Sequence, residues 1–186
     1  MINHKGTQRL ETERLILRRY IMDDAEDMYA NWVTDREATC FWGWETHENI
    51  QETRRLVQGW IEEYEKPDYY HWIIQSKESS EAVGYIFLSE FNPPGRCAAV
   101  RYLLCRKLWG QGNMTEACGR VLAFAFDELG LEKVKSRHHE LNPASGRVLE
   151  KCGFGFVNRE YMRFENCPRI DGEYLFYEVC AGGALD

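Results

Sequence analysis

The chain has 186 residues, 44% of them hydrophobic and 13% aromatic, and a formal net charge of −7. That is enough apolar material for a packed core, so disorder is excluded. No apolar run approaches the roughly 18 residues of a membrane span, and the acidic balance argues against nucleic-acid binding. The length fits one domain over residues 1–186. The opening MINHKGTQRL has no apolar signal region, so a cytoplasmic location is the expectation. Seven cysteines, an odd number without a Cys-x-x-Cys pair, read as reduced and mostly buried thiols, with no metal site expected.

Glu13 to Tyr20 (ERLILRRY) alternates apolar and polar residues and reads as a strand, with Leu15 and Leu17 on one side. Asp23 offers a helix cap with Glu26 three residues on. Ala25, Met28, Tyr29 and Trp32 then repeat at helical spacing. A second helix follows Thr46, with Ile50, Val57, Trp60, Ile61 and Tyr64 on one face and Pro67-Asp68 at its end. Tyr70 to Gln75 and Ala82 to Ser89 read as strands around the turn KESSE. After NPPGR a third run covers Cys97 to Leu104.

The helix after Gly112 carries Met114, Ala117, Val121, Ala125 and Leu129 as one stripe, and Gly130 stops it. A strand at Lys133 to His138 follows. Asn142 caps a short helix with Pro143 at its first position, and Gly153 ends it. Strands near Phe154 to Tyr161 and Glu173 to Cys180 complete the order. Short turns between strands imply antiparallel hairpins, and the passage from Cys97 to His138 implies one parallel crossover. The expected fold class is α/β: a mixed, mostly antiparallel twisted sheet of about seven strands with about four helices.

Gly110-Gln111-Gly112 stands at the mouth of a helix, where glycine is entropically unfavourable. Glycines let a ligand approach the backbone, and the first amides of a helix have no internal partners. Such a turn suits a pyrophosphate, although Gly-x-Gly also describes a tight turn with no ligand. The Walker-type phosphate loop is excluded by Asn113-Met114, and the dinucleotide fingerprint by Thr115 in place of a third glycine.

Three segments together carry a resemblance: LETERLILRRY (Leu10 to Tyr20), RKLWGQGNMTEA (Arg106 to Ala117) and NPASGRVLEKCGF (Asn142 to Phe154). The chain resembles the GNAT N-acetyltransferase superfamily, most closely the branch of the ribosomal-protein N-terminal alanine acetyltransferases. The resemblance implies acetyl-coenzyme A as co-substrate. Its pyrophosphate would lie on the amides of Leu108, Trp109, Gly110, Gln111, Gly112 and Asn113, with Arg106 and Lys107 adding charge. It implies splayed central strands, Val100 to Leu104 parting from Lys133 to His138. The pantetheine arm would fill that wedge and bond the backbone of Tyr102 and Leu104. An amide near Leu103 would polarise the thioester carbonyl, and Asn142 would contact the cofactor as well as cap its helix.

Two positions depart from the family pattern. Leu149 stands where many members have a tyrosine acid, and Ala99 where many have a glutamate base. The alanine-acetyltransferase branch points to Ser145 as the acid; a capping hydroxyl is its other reading. Glu90 is the leading substitute base, with His138, His139 or a water chain as alternatives. Trp42 and Trp44, in a Gly-containing turn, are expected to wall the acceptor site together with His138, with Glu45 and His47 orienting the amine. Trp60 and Trp72 read as core. No cysteine falls at an evident nucleophile position. The implied function is direct transfer of an acetyl group to a primary amine, on a protein N-terminus or a small molecule. The rival is a non-catalytic coenzyme A-binding or sensing module. A homodimer through the C-terminal strands stays open.

Overall fold

The computed structural model describes residues 2–182. Leu10–Glu11 (β1) and Leu15–Arg18 (β2) open the chain, followed by helices Asp24–Met28 (α1), Arg36–Thr39 (α2) and Ile50–Glu62 (α3). Three strands follow, Tyr70–Ser76 (β3), Ala82–Asn92 (β4) and Cys97–Leu104 (β5). Then come Asn113–Ala123 (α4), Lys133–His139 (β6), Pro143–Lys151 (α5), Gly155–Met162 (β7) and Gly172–Cys180 (β8). The strands form one sheet in the order β1-β2-β3-β4-β5-β6-β8-β7. Among the described residues, only β5 and β6 pair in parallel, across the α4 crossover.

The expected α/β class with a mostly antiparallel sheet is what the chain forms, with eight strands among the described residues. The additional one, β1, is two residues long and too short for an alternation signal. Two helix starts are corrected. Asp23 has helical backbone angles and makes no side-chain cap bond. Its neighbour Asp24 instead takes a two-pronged ion pair from Arg18 (2.7 and 2.8 Å) and accepts from the Ile21 amide at 2.8 Å. The helix expected after Thr46 starts at Ile50, where the Asn49 side chain accepts from the Gln51 and Glu52 amides.

Side-chain alternation along the strands gives the sheet two covered faces. Tyr70 and Trp72 of β3 pack against Phe124 in the turn that extends α4. On the other face His71, between them, meets Trp60 of α3. Trp32, Trp72, Phe124 and Leu149 are fully buried. All five residues of the expected α4 stripe are buried, from Met114 to Leu129. These two layers hold the centre of the sheet, and the gap described next opens at that centre.

Candidate functional site

Pairing between β5 and β6 ends at Ala99 and Lys135. Beyond it β5 runs on to Leu104 and β6 to His139, and the strands part. Ser136 closes the apex by donating to Val100 O at 2.9 Å. Residue parity decides which backbone groups face the gap. Val100 O meets β6 in this way, and Arg96 O accepts from Glu132 at 2.8 Å on the same side. Cys105 N donates to Val83 O at 2.8 Å, towards β4. Even-numbered residues of β5 therefore turn their backbone to the gap and odd-numbered ones to β4. Leu103, opposite Tyr85 in the β4 ladder, cannot supply the oxyanion donor, which is a correction. The backbone groups open to the gap are those of Tyr102 and Leu104, although Leu104 O already accepts the Trp109 indole N–H at 2.8 Å.

The glycine turn stands at one end of this gap. Gly110 and Gly112 have φ of 73° and 81°, the left-handed region that a side chain disfavours. That answers why two glycines precede α4: the backbone turns twice the wrong way for other residues. A Cβ at Gly110 would meet nothing within 4 Å, so the loop faces open space. Arg14 holds the loop from behind, donating to Gln111 O at 3.0 Å while paired with Glu116 at 2.6 Å.

The amide seat is narrower than expected. Leu108 N and Trp109 N are used within their own turn, by Cys105 O (3.2 Å) and Arg106 O (3.0 Å). Among the described residues, the amides of Gly110, Gln111, Gly112 and Asn113 have no partner. Arg106 and Lys107 also differ from expectation. Arg106 is paired with Asp35 and with Glu37 (2.7 Å), and Lys107 with Glu81 and Asn31. The cations that line the gap are instead Arg147 and Lys151, four residues apart on α5. Their i, i+4 spacing in the NPASGRVLEK segment is the sequence signal that places both on one helix face.

A cavity of 500 Å³ runs from this turn along the gap, lined by Tyr102, Leu104, Asn113, Asn142, Arg147 and Lys151 among others. Its unpaired amides, bare strand edge and two cations fit the donor chemistry of a phosphorylated thioester. Asn142 caps α5 by accepting from Ser145 N at 3.2 Å. Its side chain lines the same space. Burial pushes the Cys105 thiol up, away from nucleophilic use.

Across the gap, the Tyr102 hydroxyl reaches α5. It lies 3.1 Å from Ser145 Oγ and donates to Ser145 O at 3.0 Å. Burial raises its pKa well above the ordinary tyrosine value. Leu149 and Ala99, where a family acid and base would stand, are buried and apolar.

On the other face a second cavity of 300 Å³ shares Trp42, Tyr102, Asn142 and Ser145 with the first. Phe87, Glu90, Arg101, Arg137 and Tyr174 line it further. Trp42 packs edge-on to Tyr85 at 5.2 Å and lies 6.2 Å from Phe87. Trp44 leans on His47. The turn is clamped by Arg169, which donates to the carbonyls of Cys40, Trp42 and Trp44 and pairs with Glu45 at 3.0 Å. Glu45 is thereby committed to Arg169. Glu90 sits in a bulge of β4 with φ of 53°. Its Oε1 accepts from Arg101 at 3.1 Å and stands 4.0 Å from Arg137. Glu90 is thereby an ion-pair partner of Arg101 through one of its two oxygens.

His138 is buried in the wall of the second cavity. Its Nδ1 donates to His139 O at 2.8 Å, and its Nε2 has no partner among the described residues. Burial lowers its pKa, favouring the neutral ring. His139 Nδ1 accepts from Leu141 N at 3.1 Å.

A gap between parallel strands, an amide-rich turn and two meeting cavities shape a site with room for two ligands side by side. A family model described as Acetyltransferase (GNAT) domain matches residues 14–155. The uncharacterized N-acetyltransferase YoaA of Bacillus subtilis is 31% identical over 161 residues, covering 86% of this chain and 90% of its own. The chain belongs to the GNAT acetyltransferase family. Solved structures agree in fold. The ribosomal-protein-S5-alanine acetyltransferase of Vibrio fischeri has a TM-score of 0.77 at 15% identity, over 93% of this chain and 96% of that one. The spermidine N-acetyltransferase of Vibrio cholerae, in complex with CoA and spermine, has a TM-score of 0.75 at 19% identity, over 94% and 100%. Among the described residues, no helix is long and apolar enough to cross a membrane.

Proposed function

We propose that this protein moves an acetyl group from acetyl-coenzyme A directly to a primary amine. The observation that carries the reading is the pairing of β5 and β6, which stops at Ala99 and Lys135 while Tyr102 and Leu104 turn their backbone into the gap. The donor supplies an activated acetyl carbon. The turn from Gly110 to Asn113, with Arg147 and Lys151, holds its phosphates. The amine enters from the second cavity, loses a proton to solvent there, and attacks the carbonyl at the apex. A wedge-facing amide, of Tyr102 or Leu104, stabilises the oxyanion. The Tyr102 and Ser145 hydroxyls return a proton to the leaving sulfur. A thiol is acidic enough, near a pKa of about 8.5, for a weak acid to suffice.

The acceptor is a small-molecule amine or a protein N-terminus, and the site of action the cytoplasm. The bare outer edge of β7, where Phe156, Val157 and Tyr161 are exposed, supports pairing of two copies, checked by light scattering. The test of function is coenzyme A release with acetyl-coenzyme A and a panel of amines and peptides. Amine-dependent release is the expected result. Tight donor binding without release under any amine would favour the non-catalytic module, for which the apolar Ala99 and Leu149 speak.

A further inference from the structure

We infer that the acceptor is an amine that also carries a carboxylate on an apolar body of amino-acid size, with Arg137 and Arg101 as its anion site. This rests on the transferase reading above. The charged side chains lining the 300 Å³ cavity are Glu90, Arg101 and Arg137. Two guanidiniums face one carboxylate there, an excess of one positive charge inside a chain of net −7. Neither cation is a solvated surface group: their side chains are 16% and 24% exposed.

The two arginines are not equally committed. Arg101 donates to Val100 O at 3.0 Å and to Glu90 at 3.1 Å. The Arg137 side chain makes no hydrogen bond among the described residues; its guanidinium lies 6.0 Å over the Phe176 ring and 4.0 Å from Glu90. A half-buried guanidinium with free donors calls for a planar anion. Burial, and after it the neighbouring Arg137 charge, push Arg101 down to about 10. Glu90, in its strained bulge, is the internal stand-in for the ligand's carboxylate.

The remaining wall is apolar and aromatic: Trp42, Phe87, Phe164, Ile170 and Tyr174. A cavity at the small end of ligand sites suits an amino acid with an apolar side chain. A polyamine would set its charges beside two guanidiniums and be repelled.

The experiment compares matched pairs, L-phenylalanine with L-phenylalaninamide and L-leucine with L-leucinamide, in the coenzyme A release assay. Spermidine and an alanine-terminated peptide serve as further acceptors. The acid of each pair should exceed its amide in kcat/KM by about tenfold or more, the scale of one charge-assisted contact. R137Q should bring the two members within about twofold of each other. E90Q, which removes the competing carboxylate, should lower KM for the acids. Coenzyme A affinity by calorimetry serves as the folding control for both variants. Amides matching the acids, or a preference that survives R137Q, overturns the anion site. Release with spermidine or peptide but with neither member of any pair overturns it too, and leaves the transferase reading standing. No release with any amine overturns both.

Discussion

The Tyr102 hydroxyl lies 3.1 Å from Ser145 Oγ and 3.0 Å from the Ser145 carbonyl oxygen, to which it donates. The pair ties β5 to the first turn of α5 across the gap, on the path proposed for the departing sulfur. Leu149, deep in the core, cannot supply an acid, but a tyrosine from the opposite wall brings a hydroxyl to the same gap.

Tyr102→Phe should therefore lower kcat by about tenfold to a hundredfold, the range of general-acid catalysis when the leaving group is partly self-sufficient. Coenzyme A affinity should stay within about threefold, since the backbone contacts are kept. Ser145→Ala should cost less, because Tyr102 retains the Ser145 carbonyl as partner. Steady-state kinetics with calorimetry separates these terms. Wild-type kcat in both variants would remove the hydroxyl pair from the mechanism.

Gly112, at φ 81°, lies among the unpartnered amides. Gly112→Asp adds both strain and a negative charge at the proposed phosphate seat. Coenzyme A affinity should fall by about a hundredfold or more, whereas Gly112→Ala, with strain alone, should cost about tenfold. Calorimetry reads both, and a thermal melt confirms folding. Equal losses in the two variants would mean that charge at this turn is irrelevant and that no phosphate rests there.

The ordering of strands and helices was legible because each buried element carries its own period, as in Leu15 and Leu17 or in the α4 stripe from Met114 to Leu129. The glycine turn and the Asn142 cap were legible for the same local reason. What stayed hidden depends on partners distant in sequence. Leu103 lost its expected role through the phase of the β4–β5 ladder, which no single strand records. Arg106 and Lys107 were diverted by Asp35 and Glu81, residues 71 and 26 positions away. Glu90 met Arg101 and Arg137 only because a bulge turns it towards them. Charge alone locates none of these pairings, since a carboxylate reads the same whether free or spoken for.

His71 is fully buried among Tyr20, Trp60, Tyr69 and Tyr85, and burial lowers its pKa from 6.5 to about 3. Between those values the unfolded chain holds a proton that the native ring refuses. Stability is full above 6.5 and declines as pH falls towards 3, with about 1.4 kcal/mol lost per pH unit from this ring. His138 and His47, also lowered by burial, add in the same direction. Urea unfolding between about pH 7 and 5 should show this slope before most carboxylates protonate. His71→Phe should flatten it by one proton's worth. Parallel profiles for the two proteins would place the buried proton uptake elsewhere.

Arg169 is not itself a lining residue of either cavity, yet three carbonyls of the Cys40 to Trp44 segment accept from it and Glu45 completes the fork. It is a positioning residue: Trp42 can wall the proposed acceptor cavity only while its backbone is held. Arg169→Ala should raise acceptor KM by about fivefold to twentyfold, because a loosened wall must be reordered at each binding event. Donor affinity should hold, since the Gly110 to Asn113 turn is fixed separately by Arg14. Arg169→Lys should rescue little, as one ammonium cannot serve three divergent carbonyls and a carboxylate. A global defect would lower Tm and weaken both substrates together. A rise confined to acceptor KM is the signature of the clamp, and equal weakening of donor and acceptor would show that Arg169 merely holds the fold.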